Sequence, residues 1–93
     1  MPTTPSAAVA LESVEFGRLG LDYITDTSAH TGVWGIIECK TNCTFTTLEG
    51  ENLYTNGTLG NLNSYTLTAG QRLYGVFTKI TLTSGSVVAY RAA

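Results

Sequence analysis

Cys39 and Cys43 are the only cysteines in the chain, and His30 is its only histidine. A closed zinc site needs four ligands, so these three residues cannot make one alone. Two readings of the cysteines stand side by side. They are either reduced, buried thiols that pack as small hydrophobes, or a disulfide across a hairpin turning at Lys40-Thr41-Asn42. Directly opposed strand residues hold their Cβ atoms about 4.5–5.5 Å apart, so the second is geometrically open. His30 follows Asp26 in a Ser/Thr-rich loop, but a catalytic histidine needs a nucleophile and an orienting acid in reach. With 16 Thr and 6 Ser in the chain, a nearby hydroxyl carries no information. His30 therefore reads as a loop residue without catalysis.

Two acid pairs invite the same question. Asp22 and Asp26 are four apart, and Glu49 and Glu51 flank Gly50. Glycoside hydrolysis needs two carboxylates on opposite sides of a cleft, one of them with a raised pKa. So small a domain has little room for such a cleft, and Glu49-Gly50-Glu51 reads as a solvated turn. Neither pair supplies enough oxygens at loop spacing for calcium. No enzyme activity, metal or cofactor is expected.

The aromatic residues say more. Tyr23, Trp34, Tyr54, Tyr65, Tyr74 and Tyr90 are of the amphipathic type enriched at interfaces and in sugar-binding grooves. Trp34 reads as an anchor, in the core or at a subunit interface. Tyr54 either packs back over a sheet edge or meets a partner. Val9, Leu11, Trp34, Ile36, Tyr54 and Tyr90 are the candidate contact residues.

Strand-like runs that recur every eight to twelve residues, divided by Gly, Asn and Ser, must position these side chains. Residues 1–12 read as an extended arm, with Pro2 and Pro5 excluding a helix. Strands are predicted over residues 13–19, 21–25, 33–39, 43–48, 65–68, 71–78, 79–83 and 86–91. In the third, Val33, Ile37 and Cys39 would share one face, and Trp34 and Ile36 the other. The last two would form a hairpin turning at Ser84-Gly85, with Leu82 facing Val87, Ile80 facing Ala89 and Lys79 facing Tyr90. Residues 49–63 form a long irregular stretch holding the turn dipeptide Asn56-Gly57, and loops of that length tend to be functional. The expected fold is all-β: one domain, a small antiparallel sandwich (jelly-roll-like or Ig-like) or barrel of seven to eight strands.

Composition narrows the partners. Charged residues make up 13% of the 93 residues, about half the usual share, while 43% are hydrophobic. No apolar run is long enough for a membrane helix. A net charge of −2 with 5 Lys and Arg disfavours nucleic acid. The N-terminus lacks the basic and apolar regions of a secretory signal, so synthesis in the cytoplasm is expected, and the sequons at Asn42 and Asn56 read as chance matches. A surface this poor in charge suggests association with other protein.

One further pattern bears on origin. Residues 68–92 combine an Ala69-Gly70 turn, a Tyr74-Gly75-Val76-Phe77-Thr78-Lys79-Ile80-Thr81-Leu82 run and a closing Gly85-Ser86-Val87-Val88-Ala89-Tyr90. Together with Asp26-Thr27-Ser28-Ala29-His30-Thr31-Gly32, this resembles small virion proteins of tailed bacteriophages. The likeness covers about a third of the chain, mainly turn glycines and strand residues, so it speaks of fold and origin more than chemistry. Some such proteins decorate capsids as trimers over the symmetry axes of the shell, and others belong to tails or fibres. The resemblance implies a homotrimeric capsid decoration (cement) protein at the virion surface. Its partners would be its own copies and the major capsid protein or other virion proteins, with the arm as latch. The alternative expectation is a host-surface or glycan-binding module of a tail or head fibre.

Overall fold

Threonine, valine, isoleucine and aromatic residues dominate the stretches between glycines, and such residues favour the pleated, half-buried surface of a sheet. The structure, a computed structural model, describes residues 19–93. It is all-β and antiparallel. Two long strands dominate: β2, His30–Glu51, and β7, Arg72–Arg91. The others are short: β1 (Leu21–Ile24), β3 (Tyr54–Thr55), β4 (Thr58–Leu59), β5 (Leu62–Asn63) and β6 (Thr66–Leu67). The order β1-β7-β2-β5 makes the main sheet, β6 also pairs with β2, and β3 and β4 form a separate hairpin.

Each long strand uses both of its edges. Trp34 is registered with Phe77 and also with Arg91, and Ile36 with Tyr74 and also with Tyr90. Ile80 likewise faces both His30 and Leu48. A single two-stranded ribbon, sharply bent, thus supplies the facing layers of a sandwich-like globule without closing into a barrel. Between the layers lie Trp34, Ile37, Phe45, Leu48, Phe77, Ile80, Leu82, Val87 and Ala89, all 1% exposed or less. Burial of each large apolar side chain among them contributes roughly 1.5–3 kcal/mol.

Two expected hairpins are replaced by continuous strand. Residues 40–42 and 84–85 do not end strands; they face one another across the β2–β7 ribbon, between the Thr41↔Ser86 and Thr44↔Ser84 pairs. There Asn42 and Cys43 oppose Gly85 alone, which is a β-bulge. Consequently Leu82 faces Phe45, Lys79 faces Glu49 and Thr31, and Tyr90 faces Ile36 and Leu21. The bulge explains why turn residues stand inside a strand. Gly85 has φ +86°, and a Cβ there would lie 2.6 Å from Cys43 Cα and closer still to the Asn42 carbonyl oxygen.

The ribbon carries further register shifts, one of them at Gly35. From Trp34 to Ile36, β2 advances two residues while β7 advances one on one edge and three on the other. Side-chain direction reverses there, so Trp34 and Ile37 both point into the core and Ile36 points out. The expected pairing of Trp34 with Ile36 on one face does not hold. Of the predicted strand over residues 13–19, only Leu19 lies within the described residues, and it is in a turn. The arm lies outside them.

Asn56-Gly57 behaves as its sequence suggests. Both residues have positive φ, at 52° and 83°, and they close the β3–β4 hairpin between Thr55 and Thr58. Gly57 and Gly85 therefore share a backbone region but differ in surroundings, since no heavy atom would meet a Cβ at Gly57 within 4 Å. Gly57→Ala should cost about 1–2 kcal/mol, the strain of the left-handed region alone. Gly85→Ala adds a backbone clash and should cost about 3 kcal/mol or more. Equal losses in urea unfolding of the two variants would contradict a close strand crossing at Gly85.

Candidate contact surface

Outward-facing residues of four neighbouring strand segments form two rows across the sheet. One row runs Tyr74, Ile36, Tyr90, Leu21, following the registers of β7 with β2, β2 with β7, and β7 with β1. The next runs Arg72, Glu38, Val88, Tyr23. Val76, two residues beyond Tyr74 along β7 and registered with Glu51, adds to the same face. Tyr23 is 62% exposed and Tyr74 54%, and Leu21 and Val76 are also exposed. Ile36 is 2% exposed although it lies outside the core cluster; its cross-strand neighbours are the two tyrosines. The only charges in the two rows are Arg72 and Glu38, which pair at 3.4 Å. The result is an amphipathic, tyrosine-rich patch on one face of the sheet.

Asp22 holds the outer strand of this patch in place. It lies between Leu21 and Tyr23, so its side chain points to the opposite face. There Trp34 Nε1 donates to its Oδ2 at 2.7 Å, and Arg91 Nη2 donates to its Oδ1 at 3.0 Å. Arg91 Nε lies 3.0 Å from Oδ2, completing a two-pronged ion pair. One carboxylate therefore ties β1 to β2 and β7, and satisfies the indole N–H of a buried tryptophan. Partial burial pushes the Asp22 pKa up, but the hydrogen bonds from Trp34 and Arg91 outweigh it and hold the carboxyl below its ordinary 3.8.

The candidate chemical groups do not converge elsewhere. His30, the first residue of β2 and not a loop residue, meets Asp26 Oδ1 through Nε2 at 2.7 Å, and the Ser28 backbone N–H donates to the same oxygen at 3.1 Å. The His30 hydrogen bond, helped by that N–H, lowers the Asp26 pKa. No hydroxyl group joins the pair among the described residues, and no cluster of three or more His, Cys, Asp or Glu gathers among them. Glu49 lies 4.0 Å from Lys79, on the strand, and Glu51 is exposed at the end of β2. Cys39 and Cys43 are free, buried thiols on one continuous strand and not on the two arms of a hairpin. The Cys39 thiol donates to the Thr41 carbonyl at 2.9 Å. Burial, with the Cys39 thiol beside it, pushes the Cys43 pKa up to about 12, so Cys43 is a thiol and not a thiolate at neutral pH.

Comparison with protein-family models, with curated proteins and with solved structures finds no match for the chain. The surface must be read from its own geometry.

Of the six candidate contact residues, the structure brings together Ile36 and Tyr90, as floor and flank of the patch. Trp34 is a core residue at 1% exposure and presents no contact surface. Tyr54 is 57% exposed on the β3–β4 hairpin, opposite the equally exposed Leu59, where it does not pack back over a sheet edge. Val9 and Leu11 lie outside the described residues. Tyr23 and Tyr74 belong to the interface-type aromatics of the sequence, but neither they nor Leu21 and Val76 are among its six contact candidates. Their signal is the two-residue spacing of Leu21 with Tyr23 and of Tyr74 with Val76, which puts each pair on one strand face.

The Asp22 joint sets a pH dependence. Its folded pKa is depressed, so its contribution is present above the unfolded pKa and is lost as pH falls through the lower folded value. Asp22→Asn should lose roughly 1.5–3 kcal/mol at pH 7, the range for hydrogen bonds to a charged group. It should also flatten the decline in stability below pH 3.8 in acid titrations followed by tryptophan fluorescence. A variant as stable as the parent at pH 7 would show that the joint is not structural.

Proposed function

We propose that this chain is a non-enzymatic structural protein of a phage virion, a homotrimeric capsid decoration protein that binds over the major capsid protein through its tyrosine-rich sheet face. One observation carries the reading: Leu21, Tyr23, Tyr74 and Val76 stand exposed together on the sheet face that holds Ile36. Contiguous apolar and aromatic surface of this kind is characteristic of protein interfaces, where tyrosine is a frequent energetic anchor. A chain whose charged fraction is 13% adds little repulsion against such burial. The resemblance of residues 68–92 to small virion proteins supports the choice of partner, and four strand segments of the patch, two of them from that stretch, supply its geometry.

A decoration protein gains its function from area and rigidity. It must bind many equivalent sites and spread load between neighbouring capsid subunits, so it needs a broad, preorganised surface more than a cleft. The β1–β7–β2 sheet meets that need, with Asp22 keeping β1 from fraying.

The test is attachment to undecorated heads, measured for the parent chain and for variants altered only at exposed positions. Tyr23→Lys with Tyr74→Lys should leave the circular dichroism spectrum unchanged and weaken attachment more than tenfold, equivalent to about 1.4 kcal/mol. Tyr54→Lys, on the separate hairpin, should attach as the parent does. Attachment that is insensitive to the double substitution, or lost in the Tyr54 variant alone, would refute the assignment of this face.

A further inference from the structure

A groove of about 440 Å³ opens on a different part of the molecule, lined by Asn42, Thr44, Thr66, Thr68, Gln71 and Ser84, with Cys43 and Leu67 also in its lining. Cys43 and Leu67 are buried and register-paired, and because pairs alternate along the strands their side chains turn to the core while those of the next pair turn outward. Thr44 is paired with Thr66 on one side and with Ser84 on the other, so three hydroxyl-bearing residues cross β6, β2 and β7 in one row. Neighbours in such a row are about 5 Å apart, the separation of hydroxyls on opposite edges of a pyranose ring.

Two amides flank the row, and their orientation is determined. The Ala69 backbone N–H donates to Asn42 Oδ1 at 2.8 Å. The Thr68 backbone N–H and the Thr68 hydroxyl both donate to Gln71 Oε1, each at 2.8 Å. A backbone N–H can only meet the oxygen of an amide, which fixes which end points where. Both carbonyl oxygens are thus committed to the Thr68–Gln71 turn. Neither NH₂ group donates to another protein atom among the described residues, which leaves four N–H donors for a ligand. The turn is itself clamped, with the Gly70 N–H donating to the Cys39 carbonyl at 2.8 Å and the Gln71 N–H to the Thr68 carbonyl at 3.0 Å.

No residue lining the groove is charged. An anion would find no cation there, and a metal ion no carboxylate. Uncommitted amide donors and hydroxyls that both donate and accept match a ligand that is uncharged and carries several hydroxyls. We propose that this groove binds a neutral saccharide. The proposal rests on the groove alone and is independent of the tyrosine-rich face, so either can fail without the other.

The groove is open and lacks a stacking aromatic ring, so the affinity should be weak, with a Kd of about 1 mM. Titration of ¹⁵N-labelled protein with D-glucose, D-galactose and N-acetyl-D-glucosamine, each alone, reads it directly. At least one sugar should give saturable amide shifts confined to residues 42–44, 66–71 and 84. Gln71→Glu keeps an oxygen for the Thr68 N–H but removes the NH₂ donor, and should weaken that binding about tenfold with the remaining spectrum unchanged. Three results overturn the proposal: no saturable shift with any of the three sugars, the same shifts with glycerol at equal hydroxyl concentration, or undiminished binding by the Gln71→Glu variant.

Discussion

The β2–β7 ribbon must bend without losing hydrogen bonds, and the rest of the molecule depends on how it does so. Two strands of 22 and 20 residues are too long for one flat layer, yet together they supply nearly all of the core. The solution is local. At Gly85 the backbones approach so closely that no side chain fits, and two residues of β2 oppose one of β7. At Gly35 a register shift reverses the side chains, which lets the same strand fill the core with Trp34 and Ile37 while placing Ile36 outside. Bulges of this kind bend a strand and re-aim side chains at small cost, because only one ladder step is disturbed.

The surface assigned to partner contact follows from those bends. If the pleat ran uninterrupted through Gly35, Trp34 and Ile36 would share one face, both in the core or both outside it. Instead Trp34 is buried, and its indole N–H needs an acceptor, because an unpaired buried donor costs about 1–3 kcal/mol. Asp22 supplies the acceptor from β1. The strand that satisfies the tryptophan is the strand that carries Leu21 and Tyr23 on its other face. Core packing and contact surface are therefore joined through a single carboxylate, and loss of Asp22 would disturb both.

Much of the fold was legible in the sequence. Alternating Thr, Val, Ile and aromatic residues marked the strands, and Asn56-Gly57 marked a turn where one is found. What misled was local chemistry read without its partner. Ser84-Gly85 and Lys40-Thr41-Asn42 each have the composition of a hairpin turn, but they lie opposite each other, and only the pairing shows that they make one bulge. The period-two argument failed at Gly35 for the same reason, since one extra residue inverts every inference downstream. For the contact surface, single aromatics were visible, but their grouping was not. Tyr74, Ile36, Tyr90 and Leu21 are spread over seventy residues of chain and become neighbours only through three strand registers. No spacing rule along the chain could have shown that.

The central claim is that this sheet face is covered by protein when the chain performs its role. Side-chain oxidation footprinting by hydroxyl radicals, on the free chain and on the chain attached to heads, tests it most directly. Tyr23 and Tyr74, exposed in the free chain, should become protected on attachment, while Tyr54 on its hairpin stays reactive. Continued oxidation of Tyr23 and Tyr74 in the attached state, with protection at Tyr54 instead, would contradict the account.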